Sequence, residues 1–190
     1  VLGGATAAQA QTTLRGASMF DEDHAFTQTL REFERLVAEY YDGEVEFDLR
    51  LNGELGVESD YVTFLNQGVA VDYTILAPSN MAVFSESIPL MDMPFLFRDL
   101  EHWNAVLSSD VLAPLEDDLR EAAWIVIVGY HGGGVRNLAS AEPITNMAEL
   151  EGHRMRVMGA PIQAQTFDAV GAAPSAIAYN EVYNAIQTGV

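Results

Sequence analysis

Apolar residues in the stretch 26–40 fall on one stripe: Phe26, Leu30, Phe33, Val37 and Tyr40 recur four, three, four and three positions apart, the spacing of an amphipathic helix. Gly43 stands where a C-terminal cap belongs. Before the helix, Thr12 to Ser18 reads as a short strand, and the acidic run Phe20 to His24 as a turn that caps the helix. After it, Val45, Phe47, Leu49 and Leu51 alternate with Glu46, Asp48 and Arg50, the period of a half-buried strand that ends at Asn52-Gly53. A second helix is predicted over Glu58 to Asn66 and an apolar strand over Val69 to Leu76. Pro78, Pro89 and Pro94 punctuate a looser segment whose Met91, Met93, Phe95, Leu96 and Phe97 are expected to pack under a loop. Asp99 and Asp110 are placed as N-caps of two further helices, and Trp124 to Val128 reads as a buried strand. Beyond lie a short strand at Val135 to Ala139, a helical turn opened by Thr145 or Asn146, a strand at Arg154 to Met158, a helix opening at Pro161 and a last helix from Asn180 through Ile186. This alternation of strand and helix predicts an α/β fold with a largely parallel sheet.

Charge divides the chain unevenly. Among 190 residues there are 28 acids and nine bases, every base an arginine, for a formal net charge of −19. Residues 1–130 carry 23 acids and six arginines, whereas residues 131–190 carry five acids and three arginines. The step falls at His131-Gly132-Gly133-Gly134, a sequence suited to a hinge, and we place a lobe boundary there. The expected division is 1–10 as the remnant of a signal peptide, 11–133 as the first lobe and 134–190 as the second. The signal-peptide reading rests on Ala8-Gln9-Ala10, an A-x-A cleavage pattern closing a small, apolar N-terminus. No later stretch has the ~18 apolar residues of a membrane span.

These counts remove several classes of chemistry. Without lysine there is no Schiff base and no P-loop; without cysteine there is no disulfide frame, thiolate nucleophile or zinc ribbon. The acid excess argues against a nucleic-acid partner, which needs a basic footprint. His24, His102, His131 and His153 show no metal-ligand spacing, the acid pairs Asp21/Asp23 and Asp117/Asp118 lack the pattern of a calcium loop, and no cofactor motif is present. His131 to Gly134 matches the HGGG oxyanion loop of esterases, but no Gly-x-Ser-x-Gly accompanies it. The arginines of the second lobe remain. A guanidinium offers a rigid fork that grips a carboxylate bidentately and stays charged when desolvated. Arg154 and Arg156 share one face of their strand, so either could reach a cleft, or they could pair on the surface with Glu149 or Glu151.

Several blocks carry a resemblance to a known family: Leu55-Gly56 after the alternating strand, Met93 to Asp99, Gly133 to Leu138 followed by Glu142-Pro143-Ile144, Glu149 to Val157, Val170 to Pro174, and Asn180 to Val190. In order and spacing they resemble the substrate-binding proteins of tripartite ATP-independent periplasmic (TRAP) transporters, the DctP type. The resemblance implies two α/β lobes of the periplasmic-binding-protein kind closing on an acidic ligand, a periplasmic location and TRAP membrane subunits as partners. It implies a binding protein, not an enzyme. The ligand would be a small organic acid such as a C4-dicarboxylate or a sugar acid.

Residue by residue, Arg156 matches the arginine that pairs with the ligand carboxylate, Arg136 a second arginine of the pocket, and Tyr179 an aromatic that packs on the ligand. Ser18 to Phe20, Glu58 and Ala77 to Asn80 fall at the corresponding positions of the first lobe. Gly159 stands where some members carry a ligand-touching asparagine. Family sequences continue past the position of Val190, so a chain truncated at both ends is expected. An esterase built on the HGGG loop and a two-lobe ligand-sensing domain are the alternative readings.

Overall fold

The computed structural model describes residues 12–132 and 134–190; the cleavage-site reading of residues 1–10 lies outside them, as does Gly133. Strand β1 (Thr12–Ala17) leads through an acidic turn into helix α1 (Ala25–Tyr40), and strand β2 (Val45–Arg50) comes after it. Helix α2 (Glu58–Gln67) and the two-residue strand β3 (Tyr73–Thr74) complete a three-stranded parallel sheet in the order β2-β1-β3. Helices α3 (Leu100–Leu107) and α4 (Ala113–Ala123) come next. Strand β4 (Arg154–Val157), helix α5 (Pro161–Asp168) and strand β5 (Ala173–Ala176) form a second, two-stranded parallel unit, and α6 (Val182–Thr188) closes the described chain. The α/β class and the parallel pairing agree with the sequence pattern.

Local chemistry explains the element ends. The His24 side chain caps α1, its Nδ1 accepting from Phe26 N at 3.1 Å. Asp60, at the third position of α2, accepts from Val57 N at 2.8 Å and fixes the turn that starts the helix. Gly68 closes α2 at φ 66°. In the centre of the sheet Gly16 is needed for contact: a Cβ there would overlap the Tyr73 ring and the Leu49 side chain. Tyr73 cannot swing away freely, because its hydroxyl donates to Glu34 at 2.5 Å and Glu34 in turn accepts from Arg31 at 3.1 Å.

Three apolar clusters hold these layers. Ala17, Met19, Tyr61 and Val71 lie under the first sheet, Ile88, Leu119 and Ala123 beside it, and Met155, Val157 and Ala172 in the second unit. The third joins β4 to the helix after it, the packing expected of a βα unit, while the first and second reach helices further along the chain, α2 from β1 and α4 from Ile88.

Several expectations are corrected. The apolar segment Trp124 to Val128 is not a strand. Trp124 ends α4 in the left-handed region at φ 56°, its N–H donating to Arg120 O at 2.9 Å. Ile125 and Ile127 still turn toward the Ile88–Leu119 cluster while Val126 and Val128 face solvent, but no described strand supplies a ladder to pair with. Val135 to Ala139 likewise forms no strand and is exposed throughout. Of the apolar run Val69 to Leu76 only Tyr73 and Thr74 pair, because Ala70 turns at φ 56° and Asp72 is drawn into a two-pronged ion pair with Arg15, at 2.7 and 2.8 Å.

Helix α1 ends on Tyr41, not Gly43. Tyr41 adopts an extended conformation from which its N–H still reaches Val37 O at 2.9 Å, so no glycine cap is needed. Ser109, not Asp110, caps the turn before α4. Phe95 and its neighbours are exposed and do not lie under a loop. Conversely β5 has no periodicity that announces it. Its Pro174 is accommodated because, among the described residues, β5 pairs on one side alone, with β4.

We expect Gly16→Ala to destabilise the protein by about 1–3 kcal/mol, the cost of overpacking a filled core. Urea unfolding followed by circular dichroism measures it; an unchanged midpoint would mean that Tyr73 and Leu49 yield without loss.

Candidate ligand-binding site

Within each parallel sheet the outgoing chains leave at one end, and residues that leave both sheets converge here. Glu58 and Ser59 open α2 after β2; Ser79 and Asn80 come after β3; Met158 and Gly159 after β4; Ile177, Ala178 and Tyr179 after β5. With Arg156, near the end of β4, they line a cleft of about 180 Å³. That position, outside the carboxyl ends of the strands, is where open α/β sheets take their ligands.

Arg156 governs the cleft's electrostatics. Its Nε donates to Ile177 O at 2.8 Å, which aims the guanidinium from β4 across the start of the segment after β5. The terminal nitrogens make no hydrogen bond or ion pair among the described residues. This contrasts with the first segment, where Arg15, Arg31, Arg35, Arg50 and Arg120 each hold at least one carboxylate. Burial pushes the Arg156 pKa down, with Glu58 and Tyr179 acting against the shift and Arg136 adding to it. Arginine stays charged through such a shift. The result is a half-buried positive charge with its donors open to the cleft.

Glu58 faces it. Burial raises the Glu58 pKa, opposed by Asn80 and by the charges of Arg156 and Arg136. The Asn80 amide favours the carboxylate, yet its Nδ2 falls outside hydrogen-bonding geometry and is the one buried side-chain nitrogen without a partner among the described residues. A buried polar atom left open at the wall of a cleft is a place for a ligand oxygen. Tyr179 is half exposed and meets Phe20 edge-on at 5.0 Å, so an aromatic of the first segment braces one of the second. Phe20 itself stacks on His24 at 3.7 Å.

The structure therefore gathers Glu58, Asn80, Arg156, Gly159 and Tyr179 into one cleft. Arg136 does not line it. It is exposed, although its charge reaches both Glu58 and Arg156. Of the two arginines that share a strand face, Arg156 enters the cleft and Arg154 stays outside, with its guanidinium beside Gly189. Neither Glu149 nor Glu151 pairs with them; Glu149 caps Thr145 instead, accepting from its N–H at 2.6 Å.

Sequence reasoning passed over Gln163, Asp92 and the Ile177 carbonyl. Nothing in periodicity marks a glutamine or a main-chain oxygen. Of the cleft serines Ser59 and Ser79, the second donates to Asp92 and neither hydrogen-bonds a histidine; the serine–histidine contact among the described residues, Ser140 with His153 at 3.4 Å, is exposed and elsewhere. His131 packs against Phe26. In the cleft, no serine is in contact with a histidine among the described residues.

The chain matches the DctP family, the bacterial extracellular solute-binding proteins of family 7, over residues 17–190. It belongs to this family. A solute-binding protein of Sulfitobacter sp. NAS-14.1 is 80% identical over 183 residues, which are 96% of this chain and 56% of that protein. Among solved structures, a TRAP periplasmic solute-binding protein from the same strain, with bound α-D-taluronate, superposes at a TM-score of 0.91 with 79% identity, covering 94% of this chain and 58% of that one. A TRAP periplasmic solute-binding protein of Roseobacter denitrificans with bound L-galactonate superposes at 0.86 with 28% identity, covering 95% and 60%. The chain thus spans between 56% and 60% of the length of these relatives. Membership agrees with the expected α/β class and the extracytoplasmic setting of the family.

Because Glu58 carries a raised pKa in the folded state, its contribution to stability is full below the ordinary carboxylate range and is lost as pH rises through the folded pKa. Glu58→Gln should therefore melt higher than the parent at neutral pH, the two converging under acid. Thermal melts across that range test it; an equal difference at both ends would remove burial of the carboxylate as the cause.

Proposed function

We propose that this DctP chain is the ligand-capturing portion of an extracytoplasmic solute-binding protein that takes a small monoanionic sugar acid and presents it to TRAP membrane subunits. The observation that carries the reading is Arg156: a half-buried guanidinium aimed by Ile177 O, with its terminal donors open to the cleft. A carboxylate placed there would receive two parallel charge-assisted hydrogen bonds in surroundings less screened than water.

Arg136 adds long-range attraction from the rim. Tyr179 covers the carbon skeleton. Glu58 and Asn80 supply an acceptor and a donor for hydroxyls, the pairing that a polyhydroxy acid requires and a plain dicarboxylate does not. Gly159 and the alanines Ala82, Ala176 and Ala178 leave the opposing walls without bulk. The bound taluronate and galactonate of the two relatives support the same ligand class. Capture proceeds by closure of residues 11–133 and 134–190 about the His131–Gly134 region, a hinge motion that shuts water out of the cleft.

A thermal-shift screen of hexuronates, hexonates and C4-dicarboxylates on the full-length protein should single out a sugar acid, since a ligand that binds only the folded state raises the melting point. Calorimetry with that acid should show Arg156→Ala weakened by about 30-fold or more, the scale of removing one partner from a desolvated charge pair. Arg156→Lys should not restore it, because a point charge lacks the fork. Near-native affinity in either variant would refute the anchor.

A further inference from the structure

A buried relay of polar groups crosses from one wall of the cleft to the other. Met158 N donates to Gln163 Oε1 at 3.0 Å; Gln163 Nε2 donates to Ser79 Oγ at 2.9 Å; Ser79 Oγ donates to Asp92 Oδ2 at 2.5 Å. Asp92 Oδ2 also accepts from Ser79 N at 2.7 Å. Ser79 is 1% exposed and Gln163 9%. Ser79 and Asn80 belong to the wall built by the first segment, Met158 and Gly159 to the wall built by the second, and Gln163 and Asp92 lie behind them.

The direction of every bond in this relay is fixed. A serine hydroxyl has one proton, and here it goes to the Asp92 carboxylate. Ser79 can therefore only accept from position 163, while the Met158 amide requires an acceptor there. A side chain that accepts on one branch and donates on the other is an amide, and glutamine reaches both from the third position of α5. We propose that Gln163 is a positioning residue for ligand capture: it locks the Met158–Gly159 wall to the Ser79–Asn80 wall and so sets the width of the closed cleft.

The placement supports this role over that of an ordinary core contact. The three apolar clusters each lie within one segment or the other, and none joins residues before 131 to residues after 134. At the back of the cleft the junction is made by this relay, which holds only while the walls are together. An opened cleft would return Gln163, Ser79 and the Met158 amide to water at little loss, whereas a variant that cannot complete the relay leaves buried groups unpaired in the closed form alone. The penalty then falls on closure, and through it on ligand affinity.

Because closure on a sugar acid is itself proposed above, the inference rests on that reading, and the test separates the two. The chain has no cysteine, so Glu86→Cys and Asn184→Cys, both at exposed positions on opposite sides of the cleft, can carry a spin-label pair in the full-length protein. In the parent, the sugar acid should narrow and shorten the distance distribution; Gln163→Met, of similar length but without polar atoms, should leave it longer and broader at the same occupancy. Affinity should fall about tenfold or more in Gln163→Met and in Gln163→Glu, which sets two carboxylates against one hydroxyl, as expected for an unpaired buried group. Adding Asp92→Asn to Gln163→Glu should recover most of that loss, since it removes one of the two carboxylates. The melting point of the ligand-free protein should move little in all of them.

If the parent distances do not respond to any sugar acid, the capture reading is wrong. If they respond and the Gln163 variants respond alike with affinities within twofold, the positioning role is wrong. A loss of affinity matched by a lowered ligand-free melting point, with no recovery on adding Asp92→Asn, would reduce Gln163 to a structural residue.

Discussion

Every strand pair described in this molecule is parallel, and that single constraint determines where chemistry can gather. A parallel ladder makes each strand leave its sheet at the same end, so the loops after β2 and β3 gather at one end of the first sheet and those after β4 and β5 at one end of the second, and both ends line the same cleft. Residues 58, 80, 156 and 179 become neighbours for that reason. The helices only return the chain to the opposite edge, and their apolar stripes supply the clusters that keep the ladders in place.

Within that frame the distribution of arginine partners separates two uses of one side chain. Arg15 is held by Asp72 and Arg31 by Glu22 and Glu34, contacts at the surface or its margin that tie one element to another. Surface pairs of this kind contribute little stability individually. Arg156 is deeper and has no carboxylate of its own. A chain with 28 acids that leaves its most buried cleft arginine without one has kept that charge available.

How much of this could be read from the amino acids depended on the range of the interaction. Helix α1 was legible because Phe26 to Tyr40 repeat at helical spacing, and β2 because Val45 to Leu51 alternate; both signals are local. Trp124 to Val128 misled because a continuous apolar, β-branched run marks burial, while a strand also needs a neighbour to receive its hydrogen bonds. β5 was invisible because alanine, proline and serine carry little strand preference and its existence is decided by β4. Of the cleft residues, Arg156 and Tyr179 could be named in advance by family likeness, whereas pattern alone left Arg154 and Arg156 equivalent, since which of them enters the cleft depends on where β4 ends. Gln163 and Asp92 gave no sign, since their meaning lies in a proton's direction across a distance of many residues.

The raised Glu58 pKa has a consequence for the proposed capture of an anion. Arg156 is among the charges that favour ionised Glu58. An anion that occupies the guanidinium neutralises that support and adds a like charge close by, so Glu58 holds its proton more tightly in the occupied cleft than in the empty one. If the cleft takes the anion proposed for it, occupancy and the protonation of Glu58 are coupled with one sign, each favouring the other.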